Sequence, residues 1–347
     1  MGMAKKRYSR KSKIEPSAMT LYVPTAAVGG ANPNVTQYLD LSQVASLVNR
    51  RFYRQGLNWA VGGIKVLNLT GFEGSIVVSK LPNTWVMSNA WEKGMRSWMR
   101  MNNEALQEAP SVKPRFLDFK VFADHGHAVN GRAANMMPAS VNSAFTPGEW
   151  EMSKIIIPDA VNVTAANAEE YEVIATGASF PGAGASTLNS LSLIEGYAAS
   201  RGLPDVLDPN TPGDADDTGG STPENWFSAI FNEGNVQMGD VIEVLTSENN
   251  IAPYPFENDG VHTDTQYPNG ANQGDGLQIH SVEFITPTTV GGTTRIKGGN
   301  FPCGLVRLQT FNVTPAPSPE NPAYFLLQVD LIPGNHRGYL CEPMTEM

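Results

Sequence analysis

Hydrophobic and polar residues alternate along much of the chain, which is the pattern of a β-strand with one buried face. The clearest case is 323–334, where Phe325, Leu327, Val329 and Leu331 fall on one face and polar residues fall between them. Similar segments, rich in Val, Ile and aromatic residues, are two within 57–81 joined by a turn near 71–74, then 114–124, 149–159, 169–177, 237–247, 277–286 and 304–313. About nine strands are predicted, enough for two facing four-stranded sheets.

A short helix is predicted within 40–56. Apolar residues recur at helical spacing from Val44 to Phe52, Asp40 or Ser42 can cap the start, and Gly56 can end it. Its predicted final turn carries three cations, Arg50, Arg51 and Arg54. Cations at this end complement the helix dipole, and the same side chains could contact a nucleic acid; both interpretations stay open.

The strongest helical pattern begins at Ser88 or Asn89 and ends before Pro110, which predicts a helix inserted between strands at about 89–107. One side of it carries large apolar residues, namely Met87, Trp91, Met95, Trp98 and Met99. A Trp/Met stripe at this spacing indicates packing against a core.

Residues 178–276 have a different composition, dominated by Gly, Pro, Asn and Asp. We expect long surface loops here, and their acidity suggests an outward face. The whole chain has 33 Gly and 25 Pro in 347 residues, which disfavours long helices. The expected fold is therefore all-β, a sandwich or jelly roll of two facing antiparallel four-stranded sheets, with short inserted helices and long surface loops.

Charge is distributed unevenly along the chain. Residues 1–132 carry 18 Lys/Arg and 8 Asp/Glu, whereas residues 133–347 carry 6 and 26. The first part favours a polyanionic partner and the second repels one. A container for nucleic acid benefits from such a division, with a basic interior and an acidic, soluble exterior.

The basic residues are densest at the beginning of the chain, where no acidic residue precedes Glu15. The six cations are Lys5, Lys6, Arg7, Arg10, Lys11 and Lys13. A segment with so much like charge and so little apolar surface cannot fold alone, so residues 1–17 are predicted to be a disordered arm. Each cation can replace a counterion on a phosphate backbone, which predicts nucleic-acid binding; a nuclear-import signal can coexist with it. Tyr8, Phe52 and Tyr53 could stack on unpaired bases, although for Phe52 packing in the core is the favoured role.

The sequence contains no motif of nucleotide or hydrolase chemistry. Neither a phosphate-binding Gly-Lys-Ser/Thr loop nor a Gly-x-Ser-x-Gly elbow is present, so we predict neither an enzyme nor a cofactor. A carboxylate pair of a glycoside hydrolase leaves no sequence trace, so a secreted carbohydrate-active enzyme stays open as an alternative. No secretory leader or membrane span is apparent, and we expect a protein that is soluble and intracellular when made, with no membrane insertion.

Two metal sites are weaker hypotheses. His125 and His127 next to Asp124 could hold a divalent ion on one face of a strand, although no third ligand has supporting spacing. The acidic segments 214–217 and 259–275 could bind calcium between subunits, but neither has the register of an EF-hand loop. Solvated loops are the simpler interpretation of both, so no metal site is predicted.

Three runs of the sequence resemble a known family. They are SLVNRRFYRQGLNWAVGGIKV (46–66), SKLPNTWVMSNAWEKGMRSWMR (79–100) and AYFLLQVDLIPGNHRGYLCEPM (323–344), about 65 residues in all. They are similar to capsid proteins of the circular, replication-initiator-encoding single-stranded DNA viruses (CRESS-DNA viruses), especially unclassified ones from aquatic and environmental samples. None of the three runs is a catalytic signature.

This resemblance implies one jelly-roll domain, here residues 18–347, that assembles with itself into an icosahedral shell of about 60 copies or a multiple. It also implies a basic N-terminal arm that faces packaged single-stranded DNA, a location in the virion, and passage through the host nucleus during assembly. Circovirus-like coats often have a longer, Arg-dominated arm. Because the arm is short here, we expect Arg50, Arg51 and Arg54 to share in neutralising the genome. A non-viral nucleic-acid-binding protein is a further alternative.

Overall fold

The computed structural model describes part of the chain, and all structural statements below concern that part. The described residues are 16–26, 34–68, 72–108, 110–112, 117–141, 145–158, 168–179, 190–199, 276–288, 290–312 and 324–347. The basic arm up to residue 15, the strand predicted at 237–247 and most of the loop region 178–276 lie outside them.

The described elements are mainly strands in antiparallel pairs, which confirms the β-rich prediction. The strands are β1 (Thr20–Pro24), β2 (Asn34–Asp40), β3 (Leu57–Asn68), β4 (Gly74–Lys80), β5 (Lys154–Pro158), β6 (Ala168–Ile174), β7 (Ser190–Ser192), β8 (Gln278–Ile285), β9 (Thr293–Phe301), β10 (Leu305–Asn312), β11 (Phe325–Leu331), β12 (Pro333–Gly334), β13 (Gly338–Tyr339) and β14 (Cys341–Pro343). The helices are α1 (Leu41–Asn49), α2 (Trp85–Glu108), α3 (His125–Asn130) and α4 (Leu193–Ala199).

Two sheets share most of the strands. Sheet 1 has the order β1-β11-β3-β9, with β14 beside the beginning of β3, and sheet 2 has the order β2-β10-β4-β8. Among these eight strands, the first in the sequence pairs with the last, the second with the second to last, and so on. The pairs are β1 with β11, β2 with β10, β3 with β9 and β4 with β8. The chain therefore runs as a long hairpin whose four strand pairs are distributed alternately between the two sheets.

A hydrophobic core connects the two sheets. The alternation predicted for β11 is confirmed, since Phe325, Leu327, Val329 and Leu331 are buried and the residues between them are partly exposed. The largest fully buried side chains include Trp59, at the centre of this core. Burying one such side chain contributes about 2 kcal/mol, so the two sheets are held together mainly by apolar burial.

A second hydrophobic core lies between sheet 2 and the segment that follows β4. Helix α2, the small sheet β5-β6-β7 and helix α4 supply most of its residues. Met87, Trp91 and Trp98 are buried in it and Met95 is partly buried, which confirms four positions of the Trp/Met stripe. Met99 is 38% exposed, so the prediction for that residue is wrong.

Helix α2 is longer than predicted. It starts at Trp85 because Thr84, and not Ser88 or Asn89, lies before its first turn: the Thr84 hydroxyl accepts a hydrogen bond from the Met87 backbone N–H at 3.4 Å. It spans 24 residues, so the expectation of short inserted helices does not hold here. It ends before Pro110, as predicted.

Three other sequence predictions are corrected. Helix α1 starts at the predicted cap Asp40 but ends at Asn49, so the three arginines lie beyond its final turn and Gly56 does not end it. The described part of 114–124 forms no regular strand, because side chains and single bridges satisfy its backbone. The two strands within 57–81 form as predicted, yet they belong to different sheets.

Candidate nucleic-acid interface

The predicted arm leaves the described domain at a firmly bound point. The six arm cations lie outside the described residues, which begin at Pro16. The Arg51 guanidinium donates hydrogen bonds to the Pro16 carbonyl at 3.2 Å and to Ser17 Oγ at 3.3 Å. Ser17 Oγ in turn donates to the backbone carbonyl of Arg337 at 2.8 Å. One of the predicted site residues therefore holds the base of the arm.

The next residue is bound just as closely. The Ala18 N–H donates to Asn49 Oδ1 at 2.9 Å, and the Tyr339 hydroxyl donates to the Ala18 carbonyl at 2.7 Å. Asn49 Nδ2 also donates to the Tyr339 hydroxyl oxygen, which links the end of α1 to β13. Because each partner belongs to the folded core, the point from which the arm extends is fixed.

The three arginines after α1 have different environments. Arg50 has a left-handed backbone, with φ of 53°, and an exposed side chain that has no hydrogen bond or ion pair to another described residue. Arg51 binds the arm base. Arg54 donates to the Leu117 carbonyl and lies 3.6 Å from an Asp118 carboxylate oxygen. The structure thus places Arg51 in contact with the base of the arm and leaves Arg50 exposed beside it, whereas Arg54 binds the 117–118 segment.

Arg50 and Arg51 line a cavity of about 570 Å³. The lining residues are Gln43, Ser46, Leu47, Arg50, Arg51, Phe52, Lys120, Pro147, Gly148, Glu149 and Trp150. Three of them are cations and Glu149 is the one carboxylate in this lining. A cleft that is lined mainly by one sign of charge concentrates ions of the opposite sign, so the cavity favours an anionic ligand.

Aromatic rings and a buried cation form one wall of the cavity. The Lys120 ammonium lies 4.8 Å from the centre of the Trp150 ring and 5.7 Å from that of Phe52. Burial lowers the pKa of Lys120, although the carboxylate of Asp118 at 3.8 Å opposes the effect. Cations over ring faces are stabilised by the ring quadrupole, and flat rings beside cations also suit a nucleotide.

A buried carboxylate fixes this wall. Asp40 is fully buried, and its Oδ2 accepts hydrogen bonds from Trp150 Nε1 and Gln55 Nε2, each at 3.0 Å. Its Oδ1 caps α1 through the backbone N–H groups of Ser42 and Gln43. Burial raises the pKa of Asp40 to about 6, and these four hydrogen bonds oppose the increase. The cavity therefore has a rigid base under Trp150.

The sequence indicated Arg50 and Arg51 but gave no reason to select Lys120, Glu149 or Trp150. Lys120 lies in an apolar stretch that the pattern assigned to a strand, and a lysine among apolar residues was the only signal. Tyr53, which we considered as a base-stacking residue, is fully buried against Trp59 and Tyr339 and cannot reach a ligand.

The histidines near Asp124 serve the fold. They lie on α3 and not on a strand, and Asp124 caps that helix. His127 is fully buried, its Nδ1 accepts from the Ala123 N–H at 3.1 Å, and its Nε2 pairs with Asn135 Oδ1 at 2.7 Å. Within the described ranges no group of three or more His, Cys, Asp or Glu side chains is arranged to hold a metal. The acidic segments 214–217 and 259–275 lie outside those ranges.

Comparisons with protein-family models, curated proteins and solved structures found no match to this chain. Among the helices of the described residues, none has the length and hydropathy needed to cross a membrane. Strand topology, charge and the geometry around the arm base are therefore the features that bear on function.

Proposed function

We propose that this protein is a viral capsid protein that assembles into an icosahedral shell and packages single-stranded DNA through its basic arm. The observation that carries the proposal is the pairing of eight strands, first with last and so on inwards, across sheets 1 and 2. This is the arrangement obtained when a long antiparallel hairpin is rolled into two facing sheets. The eight-stranded jelly roll, which is common in viral capsid and lectin domains, has this double-sheet architecture.

The position of the arm supports the genome-binding part of the proposal. Arg51 anchors Pro16 and Ser17, and the six cations of the arm lie within the 15 residues that precede this fixed point on the domain. In the proposal this point faces the particle interior. Counterions released from the DNA then supply binding that needs no base sequence, as a shell around a whole genome requires.

The cavity beside the arm base supports a contact with a single nucleotide. A phosphate would be held by Arg50 and Arg51, and an unpaired base would lie against Phe52 and Trp150. Arg50 has a left-handed backbone at a helix end, where glycine is the usual residue. A strained non-glycine residue at a binding surface is consistent with selection for its side chain and not for stability.

The shell hypothesis has a direct test. The full chain, expressed alone and purified, is expected to form uniform closed particles in negative-stain micrographs, because apolar burial between subunits drives assembly. Sedimentation of the same sample across a range of salt concentrations would show a dominant large species. A monodisperse monomer under every condition would contradict the capsid proposal.

The two alternatives give different results in the same preparation. A carbohydrate-active enzyme or carbohydrate-binding module would act on or bind glycans as a monomer, which a glycan array and a reducing-sugar assay would detect. A non-viral nucleic-acid-binding protein would bind DNA without forming shells. Closed particles with nuclease-protected DNA exclude both alternatives.

A further inference from the structure

The outer face of sheet 1 carries an unusual set of side chains. One row across four of its strands consists of Tyr22 on β1, Gln328 on β11, Lys65 on β3 and Arg295 on β9, which are paired in register. The neighbouring row ends in Lys297, opposite Gly63. With strands about 4.8 Å apart, each row extends about 14 Å across the sheet.

The charges on this face neutralise one another only in part. Lys65 and Arg295 lie directly opposite each other, and like charges in that position destabilise a sheet. Asp330 is the one carboxylate in these two rows, and it is already bound by the Lys65 ammonium at 2.8 Å and by the Thr20 hydroxyl at 2.9 Å. Arg295 and Lys297 are exposed, and neither has an ion-pair partner among the described residues.

Arg295 and Lys297 lie in a part of the sequence that has few cations. The acidic part of the chain, residues 133–347, has only six Lys/Arg residues, and Arg295 and Lys297 are two of them on one strand. Lys80 lies at the adjoining edge, where its ammonium donates to the Asn300 carbonyl at 2.6 Å; burial and the nearby charge of Lys297 lower its pKa. Positive charge thus continues from the centre of sheet 1 to its β9 edge.

The same face offers a base-stacking group next to the arm base. Tyr22 is 45% exposed, and its neighbours in the sequence, Leu21 and Val23, are buried in the core and hold the strand in place. Ser17, which is bound by Arg51, precedes the first residue of β1 by only three positions. DNA held by the arm would therefore pass beside this face.

From this juxtaposition we infer that Tyr22, Lys65, Arg295 and Lys297, called here the cationic face, form a second binding surface for single-stranded DNA. The cations track phosphates, and Tyr22 stacks on an unpaired base. The inference rests on the proposed function and extends it, because it assigns part of genome binding to the folded domain. It predicts no preference for base sequence.

The test uses the full chain as unassembled subunits and a fluorescent 20-nucleotide oligo-dT. The double variant R295Q/K297Q should bind about 20-fold more weakly at 0.1 M salt, and the slope of log K against log salt should decrease by about 1.4, or about 0.7 for each lost phosphate contact. The matched control, R96Q/K154Q, removes two exposed cations that already have carboxylate partners, and should change binding less than about twofold.

Tyr22 is tested separately from charge. Tyr22→Leu should weaken binding about fivefold and Tyr22→Phe should not, because a phenyl ring still stacks. Phe284→Leu is the control, because Phe284 is an even more exposed aromatic residue, on the outer face of sheet 2. The loss of affinity in Tyr22→Leu should be specific to oligo-dT, because the paired bases of a 20-base-pair duplex are not available for stacking. An equal loss of affinity for the duplex would overturn the stacking role. Thermal melts should show that every variant is folded.

The failures of the two hypotheses can be distinguished. If the wild type binds oligo-dT and glutamine substitutions of the arm cations abolish binding while R295Q/K297Q has no effect, the cationic face is refuted and the proposed function survives. If the wild type does not bind oligo-dT at any salt concentration, both are refuted. Loss of affinity in R295Q/K297Q with the control unchanged supports the inference.

Discussion

The outer faces of the two sheets differ in how their charged side chains are paired and exposed to solvent. On sheet 2, Arg307 donates to Asp124 Oδ2 at 2.9 Å, and the Tyr38 hydroxyl donates to Oδ1 of the same carboxylate at 2.7 Å. Helix α3 covers these groups, and the His127 ring is stacked on Tyr38 at 4.3 Å. On sheet 1, Arg295 is exposed and opposes another cation.

This difference separates charge that holds the fold from charge that is available to a ligand. The sheet 2 charges are paired and largely removed from water, so removing one leaves the other without compensation. The sheet 1 cations contribute little to stability or reduce it. Stability measurements on matched substitutions can therefore test the functional assignment without any nucleic acid.

The largest difference in stability between the two faces is expected when an aspartate is removed from each. Asp124→Ala should lower the free energy of unfolding by about 3 kcal/mol, because it leaves the mostly buried Arg307 without its partner and removes the cap of α3. Asp330→Ala on the cationic face should lower it by only about 1 kcal/mol, since that carboxylate is partly solvated. Urea titrations give both values. Equal losses would contradict the contrast between the faces.

A pH dependence of similar size is expected from His127. Burial lowers the pKa of this histidine from 6.5 to about 4, so the unfolded chain takes up a proton first as the pH falls. Its contribution to stability is present above pH 6.5 and decreases by about 3 kcal/mol as the pH falls to 4.

The effect of His127 on stability must be separated from that of Asp40. The pKa of Asp40 is raised to about 6, so protonation of Asp40 increases the stability of the folded state as the pH falls from 6 towards 3.8. The difference in unfolding free energy between wild type and His127→Gln removes the Asp40 contribution, because both proteins contain it. This difference in unfolding free energy should become smaller as the pH is lowered from 7 to 4. The control His280→Gln, at a partly exposed site, should show a smaller change, and a flat His127 difference would contradict the neutral buried ring.

Replacing one arginine on each sheet should give a difference in stability of intermediate size. Arg307→Met should lower the free energy of unfolding by about 2 kcal/mol, because the Asp124 carboxylate loses its cation. Arg295→Met, the same change on sheet 1, should leave stability within about 0.5 kcal/mol and raise it slightly at low salt, because the repulsion from Lys65 disappears. Chemical denaturation at two salt concentrations measures both. A loss of 2 kcal/mol in Arg295→Met would show that this residue is structural.

The smallest effect is expected at the cavity. Arg50→Gly should stabilise the protein by about 0.5 kcal/mol, since glycine relieves the left-handed strain but adds freedom to the unfolded chain. The same change should weaken binding of oligo-dT, which fluorescence anisotropy would detect. Arg50→Lys, which keeps the charge and the strained backbone, is the control. Unchanged binding in Arg50→Gly would remove Arg50 from the interface.

The sequence predicted those elements whose information is local. β11 has strict alternation, and the Asp40 cap of α1 lies beside the helix it starts. β9 was not among the predicted strands, and its adjacent Gly298 and Gly299 weaken the strand pattern. In the structure, a Cβ atom at Gly298 would collide with the carbonyl groups of Val61 and Gly62, so glycine is needed where these strands approach closely.

Long-range contacts explain the other errors and most of the site. The segment 114–124 alternates like a strand, yet the Gln55 side chain binds the Val121 backbone N–H and carbonyl groups in place of a neighbouring strand. Similarly, Arg50 was identifiable from its local charge, whereas Lys120 and Trp150 join it only through the fold. A local sequence pattern does not identify a contacting residue that lies 60 or more positions away.

The most direct test of the proposed function measures nuclease-protected DNA in purified particles of two proteins. One is the wild type, and the other has glutamine at all six arm positions, Lys5, Lys6, Arg7, Arg10, Lys11 and Lys13. Because the arm is expected to bind phosphates and not to form the shell, the variant should assemble into particles of normal size that contain several-fold less DNA. Particles of normal size with an unchanged DNA content would contradict the account.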